Sequence, residues 1–137
     1  MNQIMSKKDL EETQEVCLDF DKRGGLVPVI VQDIDNMEIL MLGYANKASF
    51  DETVKTGLAT FWSTSRNELW TKGKTSGDYL EIIEIRVDCD QDAIIYQVHR
   101  KGSGSCHTKN SKGETRVSCF YRKINKENKL DFLEGNE

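Results

Sequence analysis

The sequence predicts a mainly β or α+β fold: a compact, barrel-like sheet of short strands with two or three small helices. Three observations predict it. Short runs rich in Val, Ile, Tyr and Trp recur between turn residues. Strands and helices do not alternate in the doubly wound manner, and neither phosphate-loop glycine motif occurs. The 137 residues are 37% hydrophobic with a mean hydropathy of −0.59, which makes residues 1–137 a single domain with a thin core. Such a domain often completes its burial against a second subunit, so an oligomer, most simply a dimer, is expected.

The elements follow in order. Asp9 to Phe20 is charged, with Leu10, Val16, Cys17 and Phe20 apolar, and predicts a short amphipathic helix stopped by Gly24-Gly25. Leu26 to Val31 is a β-rich run, Asp33 to Asn36 supplies turn chemistry, and Met37 to Tyr44 returns as a second strand of a hairpin. Asn46 caps a helix reaching Lys55, with Gly57 at its end. Short strands are expected at Leu58–Ser63 and Leu69–Lys72, around Ser65-Arg66-Asn67. Tyr79–Cys89 and Ala93–Arg100 form the next pair, Lys101 to Ser105 is a flexible loop, and Val117–Ile124 is a last strand. The polar tail from Asn125 is expected to end in a frayed helical turn.

A formal net charge of −4 and a pI near 5.3 argue against binding nucleic acid, which draws on Lys and Arg to neutralise phosphates. The first residues hold no apolar stretch of signal or membrane-span length, so a cytoplasmic protein without membrane attachment is expected. In that reducing compartment the four cysteines read as metal ligands or catalytic groups rather than disulfides.

The most informative run is Glu84-Ile85-Arg86-Val87-Asp88-Cys89-Asp90-Gln91-Asp92. Alternation along a strand puts Ile83, Ile85, Val87 and Cys89 on an apolar face and Glu84, Arg86, Asp88, Asp90 and Asp92 on the other. Three carboxylates on one face repel each other unless a hard, oxygen-seeking ion such as Mg²⁺ joins them; a solvated acidic turn is the plainer reading. Cys106-His107 follows the glycine-rich loop, and Cys119 follows a polar stretch. With Cys89 they supply three soft ligands without the paired spacing of a structural zinc knuckle. Three thiolates with an open fourth position would make a catalytic zinc site, and His107 is placed to be its general base. A core cysteine remains the plain reading of Cys89 and Cys17, and an exposed strand residue that of His99.

The blocks Phe61-Trp62-Ser63-Thr64-Ser65-Arg66-Asn67-Glu68-Leu69-Trp70-Thr71-Lys72-Gly73-Lys74-Thr75-Ser76-Gly77, Asp88-Cys89-Asp90-Gln91-Asp92, Cys106-His107-Thr108 and Ser118-Cys119-Phe120 resemble the phosphoribosyl-AMP cyclohydrolase family. The resemblance runs from about Val27 to Arg122. It implies hydrolysis of the N1–C6 bond in the adenine ring of 1-(5-phosphoribosyl)-AMP, giving the formimino-aminoimidazole-carboxamide ribotide in the third step of histidine biosynthesis. It also implies a homodimer with one Zn²⁺ per subunit, held by Cys106 and Cys119 of one chain and Cys89 of the other, and Mg²⁺ on Asp88, Asp90 and Asp92. His107 becomes the proton-transferring group. Arg66, Lys72, Lys74, Ser63, Ser65, Thr75 and Ser76 become candidate phosphate and ribose contacts, and Trp62 and Trp70 candidates for stacking on the base. A length filled by one such domain implies a monofunctional enzyme.

This sequence departs from the family's CHTGxxSC pattern. Lys109 replaces the usual glycine and the stretch to Cys119 is longer, so a polar surface loop is expected there. Thr64 stands where a basic residue is common. Two other functions are set beside the enzyme. A structural-zinc interaction module conflicts with the unpaired cysteine spacing and the acidic charge. A zinc nucleoside deaminase conflicts with the lack of H-x-E and P-C-x-x-C blocks, Pro28 being the only proline.

Overall fold

In a computed structural model describing residues 6–137, β-branched alternation builds the first strand, β1 (Val27–Asp33). Val27, Val29 and Val31 point into the core and are fully buried, while Ile30 is left outside. It turns through Ile34–Asn36 into β2 (Ile39–Ala45), the expected hairpin. The pair slips register between Val31 and Gln32, where Val31 faces Met41 and Gln32 faces Ile39. This bulge lets the consecutive residues Leu40 and Met41 both be buried.

Helix α1 (Lys7–Glu12) precedes this hairpin, and α2 (Lys47–Thr56) follows it. Asn46 and Ser49 form a reciprocal capping box on α2, and Gly57 ends it at φ 75°. The buried Thr53 hydroxyl donates to the Thr60 carbonyl and accepts from its amide, so α2 is fixed to β3 (Thr60–Ser63). β3 pairs with β4 (Glu68–Thr71), and β5 (Leu80–Val87) pairs with β6 (Ile94–Arg100). The main sheet has the order β2-β1-β6-β5, with β1 and β6 parallel and the outer pairs antiparallel. Leu40, Phe61, Leu80, Ile94, Tyr96 and Val98 join the three valines in one core.

Several expectations need correction. Among the described residues the strands show no closed barrel. The four-stranded sheet is accompanied by two separate hairpins, and Leu58, just before β3, makes an isolated bridge to Glu81 on the β5 edge. The first helix covers only Lys7–Glu12 because the Gln91 side chain takes up the backbone beyond it, accepting from the Cys17 amide at 2.7 Å and donating to the Glu15 carbonyl at 3.2 Å. A 3₁₀ turn at Asp21–Arg23 then ends at Gly24, φ 66°. A bulge between Ile82 and Glu84 breaks the expected alternation of β5, leaving Ile83 52% and Val87 46% exposed. The strand expected at Val117–Ile124 is confined to β7 (Arg122–Ile124), because Cys119 bonds instead to β2. The tail is a strand rather than a helical turn: β8 (Leu130–Phe132) pairs with β7. Among the described residues, no helix is long and apolar enough to cross a membrane.

Candidate functional site

The sequence motifs come together at three places. The first is the thiol pair. Although nine residues separate Thr108 from Ser118, they fold back as a hairpin in which Lys109 bridges Thr115 and the Cys106 amide donates to the Arg116 carbonyl at 3.1 Å. The Cys119 amide then donates to the Leu40 carbonyl at 2.7 Å, and the Ser118 hydroxyl to the Ile39 carbonyl at 2.7 Å. The longer loop thus returns Cys119 beside Cys106, close enough for each thiol to affect the ionisation of the other.

Burial opposes ionisation of both thiols, but their surroundings differ. At Cys106 the burial cost is outweighed by hydrogen bonds from the Thr108 hydroxyl and amide, by the Cys119 thiol and by the Arg116 charge, so its pKa is lowered. Burial and the charge of Cys106 push Cys119 up to about 11, against a smaller opposing pull from Lys72. A pair that resists carrying two negative charges in isolation suits a soft divalent cation, which relieves that repulsion.

The second place is a cleft of about 480 Å³ lined by Arg66, Trp70, Lys72, Lys74, Thr75, Ser76 and His107, with Glu68 and Leu69. The β3–β4 turn and the loop after β4 supply its cationic and hydroxyl groups. Gly73 is indispensable to that loop: at φ 91°, an added Cβ would lie 2.3 Å from the backbone of Asp78 and Tyr79. Lys72 Nζ lies 5.8 Å from the centroid of the Trp70 ring. His107, exposed and next to Cys106 in the chain, brings an imidazole to the cationic wall. Trp62, Ser63 and Ser65 line an adjoining groove, which shares Arg66 and Trp70 with the cleft. Ser63 is 9% exposed, and its hydroxyl accepts from the Arg66 amide at 3.3 Å, so it holds the turn rather than opening onto solvent.

The third place is the acidic turn. Carboxylate oxygens of Asp88, Asp90 and Asp92 lie within 4.8 Å of one another, the only such group of three metal-ligating side chains among the described residues. The Asp88 carboxylate accepts the amides of Asp92 and Ala93 at 2.9 and 3.1 Å. Lys22 reaches Asp92 at 2.5 Å and Asp90 at 3.3 Å, and Arg23 reaches Asp92 at 3.1 Å. Lys22 above all, with Asp88 hydrogen bonding beside it, holds the Asp92 carboxyl well below the usual range. Partial burial and the neighbouring Asp92 raise that of Asp88. Three oxygens this close form a donor set suited to a hard cation, and the positive charge now balancing them comes from the chain itself.

Cys89 is exposed at the end of β5, contrary to the core position expected from alternation. Among the described residues it does not join Cys106 and Cys119 as a compact ligand group within one chain. Cys17 is half-buried, and His99 is exposed with its Nδ1 2.9 Å from Asp35. Sequence reasoning missed Lys22, Arg23 and Arg116. Lys22-Arg23 is a basic pair far along the chain from its acidic partners, and Arg116 sits in a stretch read only as a surface loop.

Residues 41–121 match the phosphoribosyl-AMP cyclohydrolase family. The phosphoribosyl-AMP cyclohydrolase of Desulfatibacillum aliphaticivorans is 50% identical over 107 residues, covering 78% of this chain and 81% of that one. The enzyme of the same name from Archaeoglobus fulgidus is also 50% identical over 107 residues, covering 78% and 92%. A histidine biosynthesis bifunctional protein of Bacteroides thetaiotaomicron is 50% identical over 91 residues, which cover 66% of this chain and 44% of that protein. With half its aligned residues shared across most of its length, the chain belongs to the phosphoribosyl-AMP cyclohydrolase family.

Proposed function

We propose that the protein hydrolyses the N1–C6 bond of the adenine ring of 1-(5-phosphoribosyl)-AMP, a step of histidine biosynthesis. The observation that carries this reading is the placement of His107 on the wall of the Arg66–Lys72–Lys74 cleft, beside the Cys106–Cys119 pair, in a chain of this family. Arg66, Lys72 and Lys74 offer charge to phosphate, Thr75 and Ser76 offer hydroxyls, and Trp70 offers a ring face for the base. N1 substitution leaves the amidine of the adenine ring electron-poor at C6, so the ring accepts water there. His107 takes the proton from that water and returns one to the departing nitrogen.

In this reading Cys106 and Cys119 hold Zn²⁺ with Cys89 from a second subunit, and Asp88, Asp90 and Asp92 hold Mg²⁺. Zinc would supply a Lewis acid that makes water acidic near neutral pH, and magnesium a charge that offsets the aspartates near the substrate phosphates. The exposure of Cys89, and that of Ile83 and Val87 near it, supports a homodimer in which this edge is covered. A reducing, cytoplasmic setting suits a site that needs free thiols.

The test is turnover of 1-(5-phosphoribosyl)-AMP by purified, metal-replete protein, followed by absorbance of the ring-opened product. Ring opening that disappears in Cys106→Ala is expected. Metal-replete, folded protein without turnover would overturn the reading.

A further inference from the structure

The polar stretch between Thr108 and Ser118 and the C-terminal segment pack on each other and on the thiol pair. The Ser111 amide donates to the Glu137 carbonyl at 2.7 Å, and Asn110 Nδ2 to the Gly135 carbonyl at 3.4 Å. Arg116 stands at the centre. Its guanidinium lies 4.1 Å from the centroid of Tyr121 and 5.3 Å from that of Phe132, and these two rings stack on each other. Nε and Nη2 donate to the Asn136 carbonyl at 2.9 and 2.7 Å. Nη1 donates to the Thr108 hydroxyl at 3.3 Å, and that hydroxyl lies 2.9 Å from the Cys106 sulfur.

The direction of this chain of bonds is set by chemistry. A guanidinium can only donate, so Arg116 occupies a lone pair of Thr108 Oγ1. The single hydroxyl proton of Thr108 is then free to point at Cys106, where it favours the thiolate that a metal needs. Lysine could not reproduce the arrangement, because its single ammonium cannot present a planar fork to Asn136 while also reaching Thr108.

We propose that Arg116 is a positioning residue for the metal-binding thiolates, orienting the Thr108 hydroxyl toward Cys106 while clamping the C-terminal segment over the loop. This rests on the reading that Cys106 and Cys119 hold zinc. It makes residues 133–137, beyond the stretch 41–121 that matches the family, part of the metal site's support.

The experiment is zinc affinity by chelator competition on Arg116→Ala, Arg116→Lys, Thr108→Val, Thr108→Ser and a chain lacking residues 134–137, with melting curves for each. Arg116→Ala and Thr108→Val should each weaken zinc binding by about 10–100-fold, the usual scale for ligand-orienting partners. A double Arg116→Ala/Thr108→Val variant should lose less than the product of the two single losses, since both act through one bond chain. Thr108→Ser should keep near wild-type affinity, and Arg116→Lys should recover only part. Removal of residues 134–137 should weaken zinc in the same direction. At saturating zinc, KM for the nucleotide should stay unchanged in Thr108→Val. Thr108→Val leaves the Arg116–Asn136 clamp in place, so it tests the bond chain even if Arg116→Ala unfolds. A wild-type protein that binds zinc while Thr108→Val binds it equally well overturns the proposal alone. A folded wild-type protein that binds no zinc overturns the metal reading and the proposal with it.

Discussion

The amide of Cys119 donates to the carbonyl of Leu40 at 2.7 Å, across a bulge in the central sheet. Leu40 is the extra residue of that bulge. The same carbonyl lies 3.4 Å from the hydroxyls of Ser105 and Ser118. A defect in strand pairing thus becomes the anchor that holds two cysteines together, whatever the length of the loop between them.

In the proposed homodimer, the Cys106 and Cys119 so held in one subunit would be joined by Cys89 of the other. Mixing folded Cys89→Ser and Cys106→Ser chains, each inactive alone, should therefore restore activity. One of the two sites in each mixed dimer regains all three thiols, so about a quarter of wild-type turnover is expected after random reassortment. A mixture as inactive as its components would place all three cysteines in one chain.

His107→Ala should bind zinc as tightly as wild type and lose about 10²–10⁴-fold in kcat, the range for removal of a general acid–base. Metal content by mass spectrometry of the purified variant, set beside its turnover, checks this. A variant emptied of zinc would identify His107 as a ligand.

Lys22 occupies the charge position a divalent ion would take between Asp90 and Asp92. Lys22→Ala should respond to Mg²⁺ at lower concentrations than wild type, read as a thermal shift against added magnesium. Without magnesium the variant should melt lower. The depressed Asp92 pKa fixes the pH dependence. Its stabilising contribution is complete above the ordinary carboxylate value near pH 4 and fades as pH falls below it. The melting difference between wild type and variant should close in acid.

Tyr96 is fully buried, and its hydroxyl has no hydrogen-bond partner among the described residues. Burial, opposed only in part by nearby Thr53, raises its pKa to about 12. The folded state therefore resists ionisation of this phenol, and its share of stability is present below pH 10 and lost as pH rises from 10 towards 12. Tyr96→Phe should be within about 1 kcal/mol of wild type at neutral pH, since no bond is broken. It should lack that part of the alkaline loss, as denaturant midpoints measured across the range will reveal.

Local chemistry made some elements legible and hid others. Asn46 and Gly57 marked both ends of α2, because caps are read from residues within one turn. The β1–β2 hairpin followed from its valines and the turn beginning at Asp33. The acidic triad could be picked out because its motif is contiguous, whereas the cleft residues were named only through the family resemblance of one contiguous block. The bulges near Leu40 and Ile83 were hidden, since the residues there look like any other apolar pair; with them went the face assignment of Ile83, Val87 and Cys89. Gln91 shortened the first helix from 74 residues beyond Cys17, a separation that no local pattern carries. Lys22 met Asp92 across a similar distance, 70 residues.

The parallel pairing of β1 with β6 has a consequence for how the chain is made. Val29 aligns with Ile94, so the middle of the sheet cannot close until two thirds of the polypeptide exists. The β1–β2, β3–β4 and β5–β6 hairpins can form early, each from neighbouring residues, but they are joined last by the least local contact. Cys106 and Cys119 leave the ribosome only after that joining strand. The loop bearing them therefore meets the Leu40 carbonyl on a sheet whose strands have all been synthesised, and the capture of the proposed metal would belong to the end of folding rather than its start.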